Sequence, residues 1–208
     1  SERKEIEPGD LVVMCGGRIG KDGIHGATFS SEELRHESPA QAVQIGDPIT
    51  QRKMYEFLLE ARDLGLYRCI TDNGAGGISC SFGEMGRLSG GVDVDLAAAP
   101  LKYQGLQPWE IFLSEAQERM TIAVDPARID DLLALAARRD VEASVMGTFT
   151  DSGRLVVRYG DRMVGCLDMD FLYETGCPRM TMEARWTLPS VAAPRRLRST
   201  TSSSSPFF

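Results

Sequence analysis

An aspartate followed by a cluster of glycines is the first feature of this sequence that could do chemistry. In the stretch CITDNGAGGIS, Asp72 ends a short apolar run, and Gly74, Gly76 and Gly77 follow it. A strand that passes through a glycine turn into a helix presents backbone N–H groups and the positive helix end to an anion. Asp72 beside such a phosphate site could hold magnesium. The alternative is a tight turn capped by Asp72, and the pattern alone favours neither.

Two better-known phosphate motifs do not fit the glycine-rich segments. In GGRIGKD only three residues separate Gly16 from Gly20, and Asp22 stands where a P-loop needs Ser or Thr for magnesium. In GAGGIS, Ser79 takes the place of the last glycine of the dinucleotide-binding pattern, and no acidic residue follows in a convincing ribose position. The sequence therefore argues against a P-loop and against a Rossmann dinucleotide site.

Two further polar segments have a functional and a structural interpretation. His25 lies in GKDGIHGATFSS, a loop of small residues. A histidine in such a loop either contacts a ligand or hydrogen bonds to the backbone, and the local pattern alone favours the hydrogen bond to the backbone. The run SEAQER over 114–119 is usually a solvated edge with salt bridges. Its predicted position between a helix and a strand could instead aim Glu115 and Gln117 into a cleft.

The composition limits the classes of partner and of site. The 208 residues carry a formal net charge of -7 with a pI near 5.0, which argues against a general nucleic-acid or membrane-surface binder. The sequence offers no secretory leader and no apolar run approaching the ~18 residues of a spanning helix, so we expect a cytoplasmic protein. Five cysteines without C-x-x-C spacing predict neither a disulfide framework nor a zinc site, and a catalytic thiol is disfavoured.

Hydrophobic spacing and helix-start signals predict the elements that must position these residues. Asp47-Pro48 and Asp125-Pro126 each give a cap followed by a proline at the first helical position. Two more helices are expected, one from the glycine cluster through Ile78, Phe82 and Met85 and one over 108–113. Strands are predicted over 11–15, 27–31, 67–71, 92–96, 120–124, 143–149, 155–159 and 163–167.

This order of elements predicts an α/β (α+β) fold with a mixed sheet and helices packed on it. Strand-helix-strand units imply parallel neighbours, whereas the late strands should form an antiparallel meander. Residues 1–8 are predicted to be a linker and 9–186 one domain. The serine-rich end, 187–208, is expected to be disordered or not to belong to the domain.

Four segments in order resemble one family. GDLVVMCGGRIGKDGIHGATFSS, VQIGDPITQRK, ITDNGAGGISCSFGEM and FLSEAQERM are similar to the large, synthetase subunit of phosphoribosylformylglycinamidine synthases, over about 9–186. The chain resembles the C-terminal-type domain of the first half of that subunit. This implies the fold of the C-terminal domain of aminoimidazole ribonucleotide synthetase, the enzyme for which the superfamily is named.

The resemblance implies a reaction and a set of site residues. ATP phosphorylates the amide oxygen of formylglycinamide ribonucleotide, and ammonia then displaces phosphate to give the amidine. Matched by motif, the family's substrate-binding positions fall on Gln44 and on the triplet Glu115, Ala116 and Gln117, and its magnesium-binding aspartate falls on Asp72. Ala116 stands where the family has a serine, so only its backbone remains as a substrate contact. Ile19 and Asn73 are milder departures, for the usual threonine and leucine.

The resemblance also implies what this chain does not carry. It lacks the S-H-N-H-P-type motif with the family's catalytic histidine and the partner half that completes the ATP site. The implied partners are the remaining synthetase domains, a glutaminase subunit and a small bridging subunit. We expect the isolated chain to be inactive. We also expect that it can form a homodimer through an exposed apolar face. Two alternatives stay open: another ATP-dependent enzyme of the superfamily, of selenophosphate synthetase or thiamine-phosphate kinase type, or a non-catalytic ligand-binding or assembly module.

Overall fold

The structure of the protein is a computed structural model that describes residues 5–24, 46–176 and 180–186. The chain divides into two compact units, residues 1–177 and 178–208. In the second unit, residues 180–186 contain no helix or strand. His25, Gln44, the predicted strand over 27–31 and the predicted tail from residue 187 lie outside the described residues.

Within the described ranges, seven strands form one sheet in the order β2-β4-β1-β5-β3-β6-β7. Their bounds agree with the predicted strands to within two residues: β1 Leu11–Gly16, β2 Cys69–Asp72, β3 Val92–Asp95, β4 Arg119–Val124, β5 Ala143–Phe149, β6 Arg154–Tyr159 and β7 Arg162–Asp168.

Four α-helices were expected, and the part of the chain that the structure describes contains these four: α1 Pro48–Asp63, α2 Gly77–Ser89, α3 Pro108–Leu113 and α4 Ile129–Arg138. Asp47 caps α1 as predicted, because its carboxylate accepts from the N–H groups of Ile49 at 3.0 Å and Thr50 at 3.2 Å. Asp125 accepts from the N–H of Ala127, but it opens a short 3₁₀ turn, Pro126–Arg128, from which α4 continues. A π-helical turn, Phe171–Thr175, follows β7. Among the described residues no helix has the length and apolar character needed to cross a membrane.

The sheet has a hydrophobic core on each face, because successive side chains of a strand point to opposite sides. Val12 and Met14 of β1 face the core beneath α2 and α3, whereas Val13 and Cys15 face the core beneath α1 and α4. Phe82 of α2 fills the first core and Phe57 of α1 fills the second, each fully buried.

The mixed sheet and its helices confirm the predicted fold class, but two pairings differ from the expected ones. The late strands form no three-stranded meander: β6 and β7 make the predicted hairpin, while β3 lies between β5 and β6. Parallel pairing occurs in this sheet only between β3 and β6. The β1 and β2 strands are both antiparallel to β4, which separates them, so their strand-helix-strand unit is split.

Two glycines inside α2 allow the close packing that the sequence predicts. A methyl group at Gly86 would lie 2.9 Å from Val92 Cγ1, and one at Gly83 would collide with the Tyr173 hydroxyl. The helix therefore sits closer to its neighbours than alanine would permit.

Candidate functional site

The sheet brings three sequence motifs to one end. In the antiparallel ladders, Asp72 at the end of β2 is opposite Met120, and Gly16 at the end of β1 is opposite Arg119 at the start of β4. The glycine turn after β2, the glycine-rich segment after β1 and the loop before β4 therefore meet. We name residues 73–77 the glycine turn and residues 114–118 the acidic loop.

The glycine turn packs directly on the acidic loop. Gly76 and Gly77 have φ angles of 77° and 59°, which favour glycine. A methyl group at Gly77 would collide with the carbonyl of Ser114. The N–H of Gly76 donates to Glu115 Oε1 at 2.8 Å, and the N–H of Gly77 donates to the carbonyl of Gly74 at 2.9 Å. Glu115 therefore supplies, from within the chain, a carboxylate at the start of α2, where one of the two interpretations of the pattern places a phosphate.

A buried arginine holds the acidic loop. Arg119 is 3% exposed, and its Nε donates to the carbonyl of Ala116 at 2.7 Å while its Nη2 donates to the carbonyl of Ser114 at 2.6 Å. Burial lowers the pKa of the Arg119 guanidinium to about 10, against the opposing influence of the Asp22 and Glu115 carboxylates. The guanidinium is charged at neutral pH. A buried cation therefore anchors this loop.

The backbone N–H and carbonyl groups of Ala116 offer little to a ligand. It is 1% exposed, its N–H donates to Ser114 Oγ at 3.3 Å, and its carbonyl accepts from Arg119. The structure thus engages both backbone groups internally.

Gln117 reaches a polar cavity beside the acidic loop. Its Nε2 donates to the carbonyl of Glu115 at 3.2 Å, and its side chain lines a cavity of about 310 Å³ with Gly16 and Gly17. Three basic side chains also line this cavity, each beside an acidic residue: Arg18 with Glu142, Lys53 with Asp140 and Lys102 with Asp22. The cavity therefore has donors and acceptors of both signs, which suits a polar ligand with several functional groups.

Asp72 is the exposed carboxylate of the site. Within the described residues it forms no hydrogen bond or ion pair through its side chain. A methyl group at Gly74 would lie 2.6 Å from Asp72 Oδ2, so the absence of a side chain there keeps one face of the carboxylate open. No group of three or more His, Cys, Asp or Glu side chains in the described ranges could hold a metal.

The sequence matches the family described as AIR synthase related protein, C-terminal domain, over residues 7–160. This range includes β1 to β6 and all three motifs at the site. The chain belongs to this family.

The phosphoribosylformylglycinamidine synthase subunit PurL of Methanopyrus kandleri is 43% identical over 180 residues, which are 85% of this chain and 25% of that protein. The PurL subunit of Thermomicrobium roseum is 39% identical over 179 residues, 86% of this chain and 24% of that protein. The chain thus spans about a quarter of the length of these relatives.

Solved structures share the fold of this AIR synthase related domain. Thermotoga maritima PurL complexed with FGAR matches with a TM-score of 0.78 at 30% identity, covering 89% of this chain and 31% of that chain. The same protein complexed with ATP matches with a TM-score of 0.74 at 26% identity, covering 89% and 29%. Escherichia coli HypE, a hydrogenase maturation protein, has a TM-score of 0.56 at 17% identity, covering 84% and 54%, which shows a shared fold alone.

Of the predicted site residues in this AIR synthase related domain, the structure brings Asp72, Glu115, Ala116 and Gln117 to one end of the sheet. A magnesium ion fits Asp72 in one respect: Mg²⁺ is commonly bound by one or two carboxylates together with substrate phosphates and water, so it needs no cluster of acidic groups. Asp72 would be the ligand that this chain supplies.

Three buried polar residues lie beside the site, and two of them, Thr121 and Ser81, were not singled out from the sequence. Thr121 Oγ1 donates to Asn73 Oδ1 at 2.7 Å and lies 3.1 Å from Ser81 Oγ, so the three side chains join the glycine turn, β4 and α2. All three are at most 3% exposed. Asn73, the departure from the family's usual leucine, is thereby hydrogen bonded, and its N–H donates to the carbonyl of Arg119 at 3.1 Å. Alternation along β4 predicts that Thr121 points inward, but no local pattern reveals its partners.

Proposed function

We propose that this domain forms part of the substrate and magnesium site of an ATP-dependent carbon-nitrogen ligase, phosphoribosylformylglycinamidine synthase. The observation that carries the proposal is the contact between Glu115 and the N–H of Gly76, which joins the two family motifs at one end of the sheet. Relatives at 33–43% identity are named as PurL subunits of that enzyme. Because this chain spans about a quarter of them, the proposed activity needs domains in addition to this one.

The residues have separate tasks in this proposal. Gln44, Glu115 and Gln117 bind formylglycinamide ribonucleotide, and Asp72 binds magnesium. When bound, magnesium supplies positive charge that offsets the negative charge of phosphate oxygens. The amide oxygen of the substrate is a poor leaving group until ATP phosphorylates it, and ammonia then displaces phosphate. The role of this domain is to hold the amide where the nucleotide and ammonia can reach it.

The proposed partners are those that the family resemblance implies. The remaining synthetase domains would complete the ATP site, and a glutaminase subunit with a small bridging subunit would supply ammonia. Support comes from relatives described as PurL complexed with ATP and as PurLQS. The isolated chain is inactive in this proposal, and it works in the cytoplasm without nucleic-acid or membrane partners, in keeping with its net charge of -7.

Isothermal titration of the chain with formylglycinamide ribonucleotide, with and without magnesium, tests the proposal. We expect binding that is tighter with magnesium, and no ATP-dependent amidine formation by the chain alone. A matched titration with inosine monophosphate, which has the ribose phosphate but not the formylglycinamide group, measures the contribution of phosphate alone. If no ribonucleotide binds while the chain associates tightly with itself, the proposal fails in favour of an assembly module.

A further inference from the structure

Arg119 is a buried cation that none of the proposed binding steps uses. Placing a guanidinium in a protein interior costs several kcal/mol unless its hydrogen bonds are made. Arg119 is 3% exposed and forms no ion pair within the described residues. Its Nη1 has no hydrogen-bond partner among them. A leucine or methionine would fill such a space at lower cost, so the hydrogen bonds that the guanidinium does make require an explanation.

Those hydrogen bonds all go to the backbone of one loop. Arg119 Nε and Nη2 donate to the carbonyls of Ala116 and Ser114, at 2.7 and 2.6 Å. These carbonyls lie on either side of Glu115. The planar guanidinium therefore fixes the peptide groups that orient the Glu115 side chain, as a flexible ammonium with one nitrogen would not.

The same residue is also tied to the glycine turn. The carbonyl of Arg119 accepts from the N–H of Asn73 at 3.1 Å, and the carbonyl of Ser114 that its side chain holds is the one packed against Gly77. The segment after β1 joins the group, because the N–H of Glu115 donates to the carbonyl of Asp22 at 2.9 Å. All three motifs at this end of the sheet therefore meet around Arg119.

We infer that Arg119 is a positioning residue, which holds the acidic loop so that Glu115 stays on the N–H of Gly76 and Gln117 faces the cavity. It contacts no ligand, since its guanidinium is enclosed by protein. The arrangement of the loop does not depend on which ligand binds. Only the consequence for binding formylglycinamide ribonucleotide rests on the proposed function.

Nuclear magnetic resonance of the full chain tests the inference without any ligand. In Arg119→Ala, we expect the amide signals of Gly76 and Ala116 to shift and to exchange with solvent about tenfold faster or more, while amides in the centre of β1 change much less. Millimolar guanidinium should restore both signals by filling the vacated site, whereas urea, a neutral molecule of the same shape, should not. Arg162→Ala, which removes an exposed arginine from β7, is the matched control.

Unchanged Gly76 and Ala116 signals in Arg119→Ala would overturn the inference. Equal rescue by urea would also overturn it, because it would show that Arg119 only fills space. If Arg119→Ala does not fold, Arg119→Lys is read in the same way, since one ammonium cannot hold both carbonyls in the same geometry. In the wild type, slow exchange of the Arg119 Nε–H supports the inference, and rapid exchange contradicts it.

Titration with formylglycinamide ribonucleotide separates this inference from the proposed function. If the wild type binds, Arg119→Ala should bind at least tenfold more weakly and recover with guanidinium. If the wild type does not bind, the proposed function fails, while the Gly76 and Ala116 signals still decide the role of Arg119.

Discussion

At the scale of single residues, Asp72 and Glu115 carry the same charge at the same end of the sheet, yet their surroundings suit them to different tasks. Glu115 is 5% exposed and accepts from the N–H of Gly76, so its charge is offset by the start of α2. Asp72 is exposed and its carboxylate forms no bond to the described residues. A carboxylate in this second situation is the one that can exchange water for a metal ion.

Asp72→Asn should weaken magnesium-dependent binding of formylglycinamide ribonucleotide by roughly tenfold or more, equivalent to about 1.4 kcal/mol, because an amide lacks the charge that Mg²⁺ requires. Binding without magnesium should change little. Titration at several magnesium concentrations measures both. Asp130→Asn, on the exposed face of α4, is the control. Retention of normal magnesium dependence in Asp72→Asn would leave CITDNGAGGIS as a turn without a metal ligand.

Cys15 makes the stability of the fold depend on alkaline pH. Burial raises the pKa of its thiol to about 12, from 9.0 in an exposed cysteine, and a backbone hydrogen bond with Met120 offsets only part of this rise. Between pH 9 and 12 the unfolded chain loses this proton and the folded chain keeps it, so the free energy of unfolding falls by up to about 1.4 kcal/mol per pH unit. Cys15→Ala should remove this slope. Urea unfolding of both proteins from pH 8 to 10.5 measures the difference, and equal slopes would show that Cys15 does not titrate as stated.

At the scale of elements, the site depends on the contact between two loops that belong to different parts of the chain. The glycine turn leads into α2 and the acidic loop leads into β4, and Thr121 bonds to Asn73 behind them. The hydrogen bond from the N–H of Gly76 to Glu115 joins the two loops, and two further hydrogen bonds tie Asn73 of the glycine turn to Arg119 and Thr121 of β4. A bare glycine at position 77 lets the loops touch. A change that separates the loops should therefore disturb Asp72 and Glu115 together.

Gly77→Ala should destabilise the protein more than Gly65→Ala, although both glycines have positive φ angles, 59° and 64°. At Gly65 nothing lies within 4 Å of an added methyl group. The only cost of Gly65→Ala is therefore the strain of an alanine in the left-handed backbone conformation, about 1–2 kcal/mol. At Gly77 the methyl group meets the carbonyl of Ser114, which adds about 1–3 kcal/mol. Thermal unfolding compares the two variants. Equal losses of stability would mean that the loops can move apart freely.

Elements that depend on local signals were predicted well from the sequence, and contacts between distant segments were not. Asp47-Pro48 specifies the start of α1 because the cap and the proline act within three residues. Nothing near β6 indicates that β3, about sixty residues earlier in the chain, is its parallel neighbour. Likewise, the hydrogen bond from Gly76 to Glu115 joins residues 39 positions apart, and Arg119 looked like a solvated charge because its burial is created by other segments.

At the scale of the whole first unit, one sheet separates two cores that are built from different helices. The β1 strand contributes to both, with Met14 in one and Val13 in the other, and it is paired on both sides by β4 and β5. Neither core can lose its helices without exposing one face of this central strand. The two cores should therefore unfold together, and the site at the end of β1, β2 and β4 should be lost with them.

Phe57→Ala and Phe82→Ala test whether the two cores form one cooperative unit. The rings lie in different cores, beneath α1 and α2, and each is fully buried. Removing either should cost about 3–5 kcal/mol, through lost burial and the cavity left behind. In urea, both variants should shift the midpoint of a single transition with the same slope as the wild type, whether followed by circular dichroism or by amide exchange. Ile49→Ala, which removes an exposed side chain at the start of α1, should shift it little. A second transition in either variant would show that the core on that face unfolds independently of the other.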